Sequence, residues 1–345
     1  GLVGSEMCIR DRLKEVRKSM LDGERHSMCI RCNDEDDARM ASRRRNAIRE
    51  YYNKYNYDFW KAESSTMPDG TLVIDKSPVL EWDIRLGNLC NLKCAMCSPY
   101  NSSLIAKEYD DMLSNGINHE LIKRKTPNVN AWYEDDNILS SVAKQMNDMT
   151  LIKFSGGEPT VNSYLANFLK QIDNKRVRIQ ITTNGNNWPQ KLHDEVAKFK
   201  RVKLTISLDG YGKVNEYIRY PSNWKKITNN LSKMKSLSNV KKIILSPTVA
   251  SYNVHQMGKL CEWAKSSNIF HEQQFHSVYA PSIFHPSHAS EKMKKQFEND
   301  CKKYKQLKSI SSQVLSNGDG LAKTVEYFKL LDKHRGTNIS VLELD

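Results

Sequence analysis

The sequence predicts an α/β protein built on a parallel sheet, with helical extensions at its N- and C-terminal ends. Two observations carry this expectation. From residue 80 a strand–loop–helix rhythm repeats through six strands, and the flanking stretches 13–63 and 287–345 read as helical. Parallel neighbours need a long crossover, usually a helix, and the alternation supplies one each time. A length of 345 residues accommodates one large α/β barrel or two ordinary domains.

Taken in order, residues 1–12 show no organised periodicity, resemble a translated sequencing adapter and are read as a non-native leader, which sets Cys8 aside. Residues 13–77 form a polar helical extension carrying Cys29-Ile-Arg-Cys32 and an aromatic run from Tyr51 to Trp60, with a short extended segment at 71–74 after the Pro68-Asp69-Gly70 turn. The core spans 78–280. Its strands are expected at 80–86, 150–154, 177–183, 202–208, 241–249 and 272–278, and its amphipathic helices at 102–113, 161–172, 190–199, 224–237 and 254–265. About sixty residues separate the first two strands, so 116–149 is an insertion, and 281–345 is a helical tail. Met20, Phe168 and Met234 sit at helical spacing and read as core.

Composition narrows the class. The chain is 39% hydrophobic and 27% charged, polar but not disordered in make-up, and no window approaches the ~18 apolar residues of a membrane span. Without a secretory h-region the expected compartment is a reducing cytoplasm, where spaced cysteines mean metal or catalysis sooner than disulfides. Of the net charge of +13, residues 186–245 carry +9. The plain reading is a set of solvated helix faces; the alternative is a patch that attracts an anionic partner, nucleic acid included.

The strongest motif is Cys90-Asn-Leu-Lys-Cys94-Ala-Met-Cys97, directly after the first core strand. Three thiolates within eight residues converge only if the backbone loops round a common centre, and soft thiolates suit Fe–S or zinc. No fourth Cys or His lies nearby, the next His being His119, which leaves one coordination place open to an exogenous ligand.

This triplet resembles the signature of the radical SAM superfamily, and the likeness extends over roughly residues 78–280. Ser155-Gly156-Gly157-Glu158-Pro159 follows the second strand and matches the family's GGEP motif. Thr182-Thr183-Asn184-Gly185 ends the third strand, Ser207-Leu-Asp209-Gly210 ends the fourth, and Tyr217-Ile-Arg219-Tyr220 follows. The resemblance implies a partial (β/α)6 TIM-like barrel. It implies a [4Fe-4S] cluster on Cys90, Cys94 and Cys97, whose fourth iron is chelated by S-adenosylmethionine (SAM). Gly156, Gly157, Glu158, Thr183, Asn184, Ser207 and Arg219 are then the SAM contacts, with Glu158 accepting from the methionyl ammonium and Arg219 at the carboxylate. Met96 stands where many members carry an aromatic residue on the adenine. The implied reaction is reductive cleavage of SAM to a 5′-deoxyadenosyl radical that abstracts hydrogen from a substrate, with a peptide or protein favoured. An electron donor such as flavodoxin or ferredoxin is implied as a partner.

The Cys29–Cys32 segment is similar to the N-terminal box of twitch-like members from phage and marine bacteria, which makes the pair a candidate arm for an auxiliary cluster or zinc, the alternative being a redox or merely structural pair. Cys261, on an amphipathic helix, reads as a core thiol. His271, His276, His285 and His288 crowd the last strand and read as satisfied or surface histidines, with His276 in the barrel mouth as the alternative. The competing functional reading is a non-catalytic Fe–S or zinc protein that binds nucleic acid through 186–245.

Overall fold

A computed structural model describes residues 2–37, 42–56, 59–73, 80–123, 132–146 and 149–344. The chain divides into two compact units, Gly1–Val79 and Leu80–Asp345. None of the described helices is long and apolar enough to cross a membrane.

The first unit is helical: α1 (Leu2–Leu21), α2 (Ile30–Asp37), α3 (Arg43–Tyr55) and α4 (Phe59–Ser64). α1 runs unbroken across position 12. Ser42 caps α3 by accepting from the Arg45 N–H at 3.1 Å, and Asn56, at φ 50°, ends it in the left-handed region. Lys14 pairs with Asp69 at 2.6 Å and Arg17 Nε donates to the Gly70 carbonyl at 2.7 Å, tying α1 to the 68–70 turn. Arg44 and Arg45 both pair with Asp36, and Arg25 grips Asp37 at 2.6 and 2.8 Å. The extended segment expected at 71–74 amounts to one antiparallel bridge between Thr66 and Leu72, with Ile74 outside the described residues. Met20 is 51% exposed, so it is not core; the polar face of α1 continues through it.

The second unit holds β1 (Glu81–Arg85), β2 (Lys93–Cys94), β3 (Leu151–Ser155), β4 (Arg178–Thr183), β5 (Arg201–Ile206), β6 (Arg219–Tyr220), β7 (Val240–Leu245), β8 (Thr248–Val249), β9 (Glu272–Gln273) and β10 (His276–Ser277). Six of these form one parallel sheet in the order β1-β3-β4-β5-β7-β9. Its end strands β1 and β9 are not paired with each other, so the sheet is an open, partial barrel. The strand expected at 241–249 is broken because Pro247 offers no N–H to the ladder; β8 instead pairs in parallel with β10. Between the strands run α5 (Ser103–Ser114), α6 (Asp136–Gln145), α7 (Ser163–Gln171), α8 (Gln190–Ala197), α9 (Lys213–Ile218), α10 (Trp224–Ser236) and α11 (Met257–Ser266), followed by α12 (Glu291–Lys303), α13 (Ser311–Val314) and α14 (Leu321–Arg335). Within the 116–149 insertion, α6 and a 3-10 turn at Trp132–Glu134 are described, while residues 124–131, which include Arg124 and Lys125, lie outside the described set.

Alternate strand residues face the helices. Ile152 and Phe154, Ile179 and Ile181, and Val202, Leu204 and Ile206 pack with Phe168 and Leu169 of α7, Leu192 and Val196 of α8 and Ile227 and Leu231 of α10. Phe168, Met234 and Cys261 are fully buried in this cluster, as their spacing predicts.

A second apolar cluster joins α5, α9 and α14. Tyr109 and Tyr327 hydroxyls meet at 3.0 Å, and Tyr217 stacks on Phe328 at 5.6 Å while donating to Asp332 at 2.8 Å. Beside it, Arg335 makes a two-pronged contact with Glu108, at 2.9 and 2.5 Å, and Lys93 reaches the same carboxylate at 2.9 Å. Lys93 adjoins Cys94, so the C-terminal helix braces the cysteine loop.

Burial pushes the Glu108 carboxyl up, but Arg335 and Lys93 pull harder and hold it below the usual range. Its stabilisation is therefore complete above about pH 4.3, the ordinary Glu value, and fades as pH falls through the lowered one. Arg335→Met should lower stability by roughly 3–5 kcal/mol at pH 7, because the Glu108 side chain, 1% exposed, loses its main partner. Thermal melts from pH 7 to pH 3 should show the gap between wild type and variant closing; a gap independent of pH would contradict the pairing.

Candidate active site

The three cysteines of the CxxxCxxC loop line a single cavity of about 350 Å³ at the C-terminal ends of the sheet strands. Arg85, Met96, Ser155, Gly156, Gly157, Glu158, Thr182, Thr183, Asn184, Ser207, Arg219 and Thr248 line it with them. Every residue expected as a SAM contact is thus on one wall or another of the same space, and Met96 lines it too.

The backbone of the loop is held by hydrogen bonds from three sides. Its middle forms β2, which pairs antiparallel with β6 so that Cys94 faces Arg219 and Lys93 faces Tyr220. The Ala95 N–H donates to the Ile218 carbonyl at 2.9 Å. Ser102, the N-cap of α5, donates its hydroxyl to the Leu92 carbonyl at 2.8 Å, and the Ser103 hydroxyl accepts from the Cys90 N–H at 3.3 Å. From the other side the Glu158 N–H donates to the Leu89 carbonyl at 2.8 Å.

That last contact explains the paired glycines. Gly156 and Gly157 have φ +80° and +46°, and a Cβ on Gly157 would lie 2.8 Å from the Asn88 carbonyl carbon and closer still to the Leu89 oxygen. Only glycine lets the turn after β3 rest on the residues that lead into Cys90.

Glu158 is 2% exposed and its carboxylate is already engaged. One oxygen accepts from the Thr183 hydroxyl at 2.6 Å and the Thr160 hydroxyl at 2.7 Å; the other accepts from the Asn184 N–H at 2.7 Å. Burial pushes this carboxyl up, and those donors oppose the shift. Here Glu158 welds the GGEP turn to the end of β4. Asn184 passes the connection on, its amide donating to Asn91 in the cysteine loop at 2.9 Å.

Arg219 is likewise held by the protein itself. Its Nε lies 2.6 Å from Asp209 Oδ2, and a terminal nitrogen lies 3.9 Å from Cys94 Sγ. Asp209 is fully buried: its other oxygen accepts from the Thr248 N–H at 2.8 Å and its carbonyl accepts from the Asn253 amide at 2.9 Å. The contact with Arg219 is an ion pair by distance without hydrogen-bond alignment, so Asp209 Oδ2 and Arg219 Nε remain unsatisfied, as does the buried Tyr252 hydroxyl. Burial works against the Arg219 charge, and Asp209 and Cys94 sustain it.

Burial also pushes the Cys90 and Cys94 thiols up and Cys97 to about 11, with neighbouring cysteines adding to the shift for Cys94 and Cys97. A cationic centre that takes the sulfurs as thiolates offsets that cost. Among the described residues no three His, Cys, Asp or Glu side chains are gathered for a single ion. A lone zinc, at about 2.3 Å per bond, holds its sulfurs roughly 4 Å apart; a cluster giving each thiolate its own iron sets no such limit. Soft donors, a neighbouring guanidinium and unsatisfied buried polar atoms fit an iron–sulfur group held by Cys90, Cys94 and Cys97.

Outside the cavity, Cys29 and Cys32 are half-buried in the first unit. Cys301 is buried in the main core beside Cys261. His271 accepts from the Ile243 N–H at 3.1 Å and His288 from the Gly320 N–H at 2.9 Å, while His285 meets the Ser287 hydroxyl at 2.8 Å. These are structural histidines; His276 is exposed and does not line the cavity. None of Lys198, Lys200, Arg201, Lys203, Lys225, Lys226, Lys233, Lys235, Lys241 and Lys242 lines it either. Asp209, Tyr252 and Arg85 escaped the sequence reading. For Asp209 a signal existed, an acid between Leu208 and Gly210 at a strand end.

Gly157→Ala should cost roughly 1–3 kcal/mol in backbone strain and displace Leu89 and Cys90. Anaerobic reconstitution should then incorporate less iron per chain than in wild type, at a lower melting temperature. Iron uptake and melting equal to wild type would show that the turn does not set the loop.

The sequence profile of the Radical SAM superfamily matches residues 84–264, just over half of the chain. Fe-coproporphyrin III synthase from Methanosarcina barkeri is 28% identical over 145 residues, which are 42% of this chain and 30% of that protein. The chain thus matches under a third of this curated relative's length. SuiB from Streptococcus suis, solved with the precursor peptide SuiA, is 15% identical with a TM-score of 0.43, covering 66% of this chain and 47% of SuiB. The coproporphyrinogen III oxidase HemN from Escherichia coli is 12% identical with a TM-score of 0.44, covering 66% of this chain and 52% of HemN. A profile match over residues 84–264, which contain the whole cysteine loop and the turns that hold it, places this chain in the radical SAM superfamily.

Proposed function

We propose that the chain is a radical SAM enzyme that cleaves SAM reductively and abstracts a hydrogen atom from a bound substrate. The observation that carries this reading is the convergence of Cys90, Cys94 and Cys97 with the strand-end polar set of β3, β4 and β5 in one cavity. Held by Cys90, Cys94 and Cys97, a [4Fe-4S] cluster would supply the electron for reductive SAM cleavage, and SAM would supply the hydrogen-abstracting group.

The protein's own contributions are positional. The three cysteines present thiolates; the Gly156–Gly157 turn offers its backbone to the methionyl end; Ser207, half-buried, and Thr182 present hydroxyls from the sheet. Arg219 keeps a fixed positive charge against Cys94, which favours the thiolate. Glu158 acts first by holding the turn, and a direct contact with the ammonium requires it to exchange one of its present donors. Met96 packs on the second apolar cluster and shields one side of the cavity from water.

A peptide or protein is the substrate class we favour. A small electron carrier of the flavodoxin or ferredoxin kind would reduce the cluster. The nucleic-acid reading gains no support from the cavity, which the basic 186–245 side chains do not reach, Arg219 excepted.

After anaerobic reconstitution with dithionite, wild type should form 5′-deoxyadenosine from SAM, and the Cys90→Ala/Cys94→Ala/Cys97→Ala variant should form none and hold no SAM-responsive EPR signal. A signal surviving the triple variant would remove the cluster from this loop.

A further inference from the structure

The face of the sheet turned away from the helices carries Asp83, Lys153, Gln180, Lys203 and Lys242 in one register row across five strands. Its lysines are matched by acids. Lys153 pairs with Glu81 at 2.7 Å, and Lys242 pairs with Glu272, which Lys203 also attracts. Arg85 differs from them. It ends β1 two residues beyond Asp83, about 7 Å further along the same face. It is exposed, it lines the cavity, and it has no ion-pair or hydrogen-bond partner among the described residues. Its stem is fixed, because the Arg85 Cβ packs on Gly156, where an added Cβ would come within 3.0 Å of it.

The acids within reach are already engaged. Asp83 accepts from the Ser155 hydroxyl at 2.8 Å and forms no ion pair with Arg85. Glu158, the one carboxylate among the described residues that line the cavity, is held by Thr160, Thr183 and Asn184. The other lining cation, Arg219, pairs with Asp209 and lies against Cys94. Among the described residues Arg85 is thus the cavity's one unmatched cation.

We propose that Arg85 binds a carboxylate of the substrate and so sets which part of the substrate enters the cavity. The proposal rests on the radical SAM reading for the reaction, and on the unmatched charge for the binding. A guanidinium offers two parallel N–H donors to a carboxylate. One fixed cation neutralises one carboxylate, whereas a phosphate dianion keeps a charge uncompensated. Thr182 brings a hydroxyl to the same cavity. β1 is an end strand of the open sheet, so among the described residues no strand closes off the side from which a substrate longer than the cavity reaches Arg85. An acidic side chain and a chain's terminal carboxylate share this chemistry.

The test maps phenylglyoxal modification of the reconstituted wild-type protein by mass spectrometry, so it does not depend on how a variant folds. Arg176, exposed and outside the cavity, is the internal reference. Arg85 should react readily, and saturating SAM should leave it reactive. N-acetylglutamate amide, a side-chain carboxylate, or N-acetylalanine, a terminal one, should slow modification of Arg85 about threefold or more relative to Arg176 at high millimolar concentration. The better protector of the two identifies the source of the group, and the uncharged N-acetylglutamine amide should not protect. No protection by either carboxylate, or equal protection by the glutamine probe, overturns the proposal. Stronger protection by inorganic phosphate overturns it in favour of a phosphate-bearing substrate, and equal protection by SAM alone overturns it by making Arg85 a cofactor contact. Wild-type 5′-deoxyadenosine formation is scored separately: its absence with carboxylate protection intact sinks the radical reading alone, and its presence without that protection sinks the Arg85 proposal alone.

Discussion

The site depends on one buried side chain, Arg219. It is the register partner of Cys94, it pairs with the fully buried Asp209, and it leans a guanidinium nitrogen against the Cys94 sulfur. A buried charge is tolerated only when paired, so Asp209 and Arg219 hold each other in place. Through Thr248 and Asn253, Asp209 ties β5 to the segment after β7. Through β6, Arg219 ties that assembly to the cysteine loop. Without the pair, the three costly thiols would lose the buried guanidinium that lies against Cys94.

The second support is steric and comes from the other side of the loop. The turn after β3 can reach the Asn88 and Leu89 carbonyls only because Gly156 and Gly157 have no side chains. Glu158 then locks the turn to Thr183 and Asn184 at the end of β4. Loop, turn and strand end form a single hydrogen-bonded unit, with the C-terminal helix α14 behind it through Arg335, Glu108 and Lys93. The tail is thus part of the site's framework, though no residue of it lines the cavity.

Most of this was legible where it is local. Strands β1, β3, β4 and β5 fall within two residues of where the sequence places them, whereas the strands expected at 241–249 and 272–278 each split in two, β8 and β10 leaving the main sheet; the cysteine spacing identifies the loop. What was hidden is long-range. Asp209 looks like a strand-end acid until the Thr248 N–H, 39 positions on, is brought to it, and the Glu158 carboxylate looks free until Thr183, 25 positions on, is brought to it. The β7 to β8 break was signalled by Pro247 and read through as one strand. Met20 failed as core because helical spacing alone does not say which face is covered. The charged sheet face could not be seen from composition, because its lysines come from different strands and meet only in register.

The central claim is that Cys90, Cys94 and Cys97 hold a cluster whose open iron takes SAM. Electron–nuclear double resonance on the reduced, reconstituted protein tests it most directly, using SAM labelled with 15N in its amino group and 17O in its carboxylate. The account predicts hyperfine coupling from both labels to the cluster, lost in the triple cysteine variant. A reduced cluster that shows neither coupling in the presence of saturating SAM would contradict it.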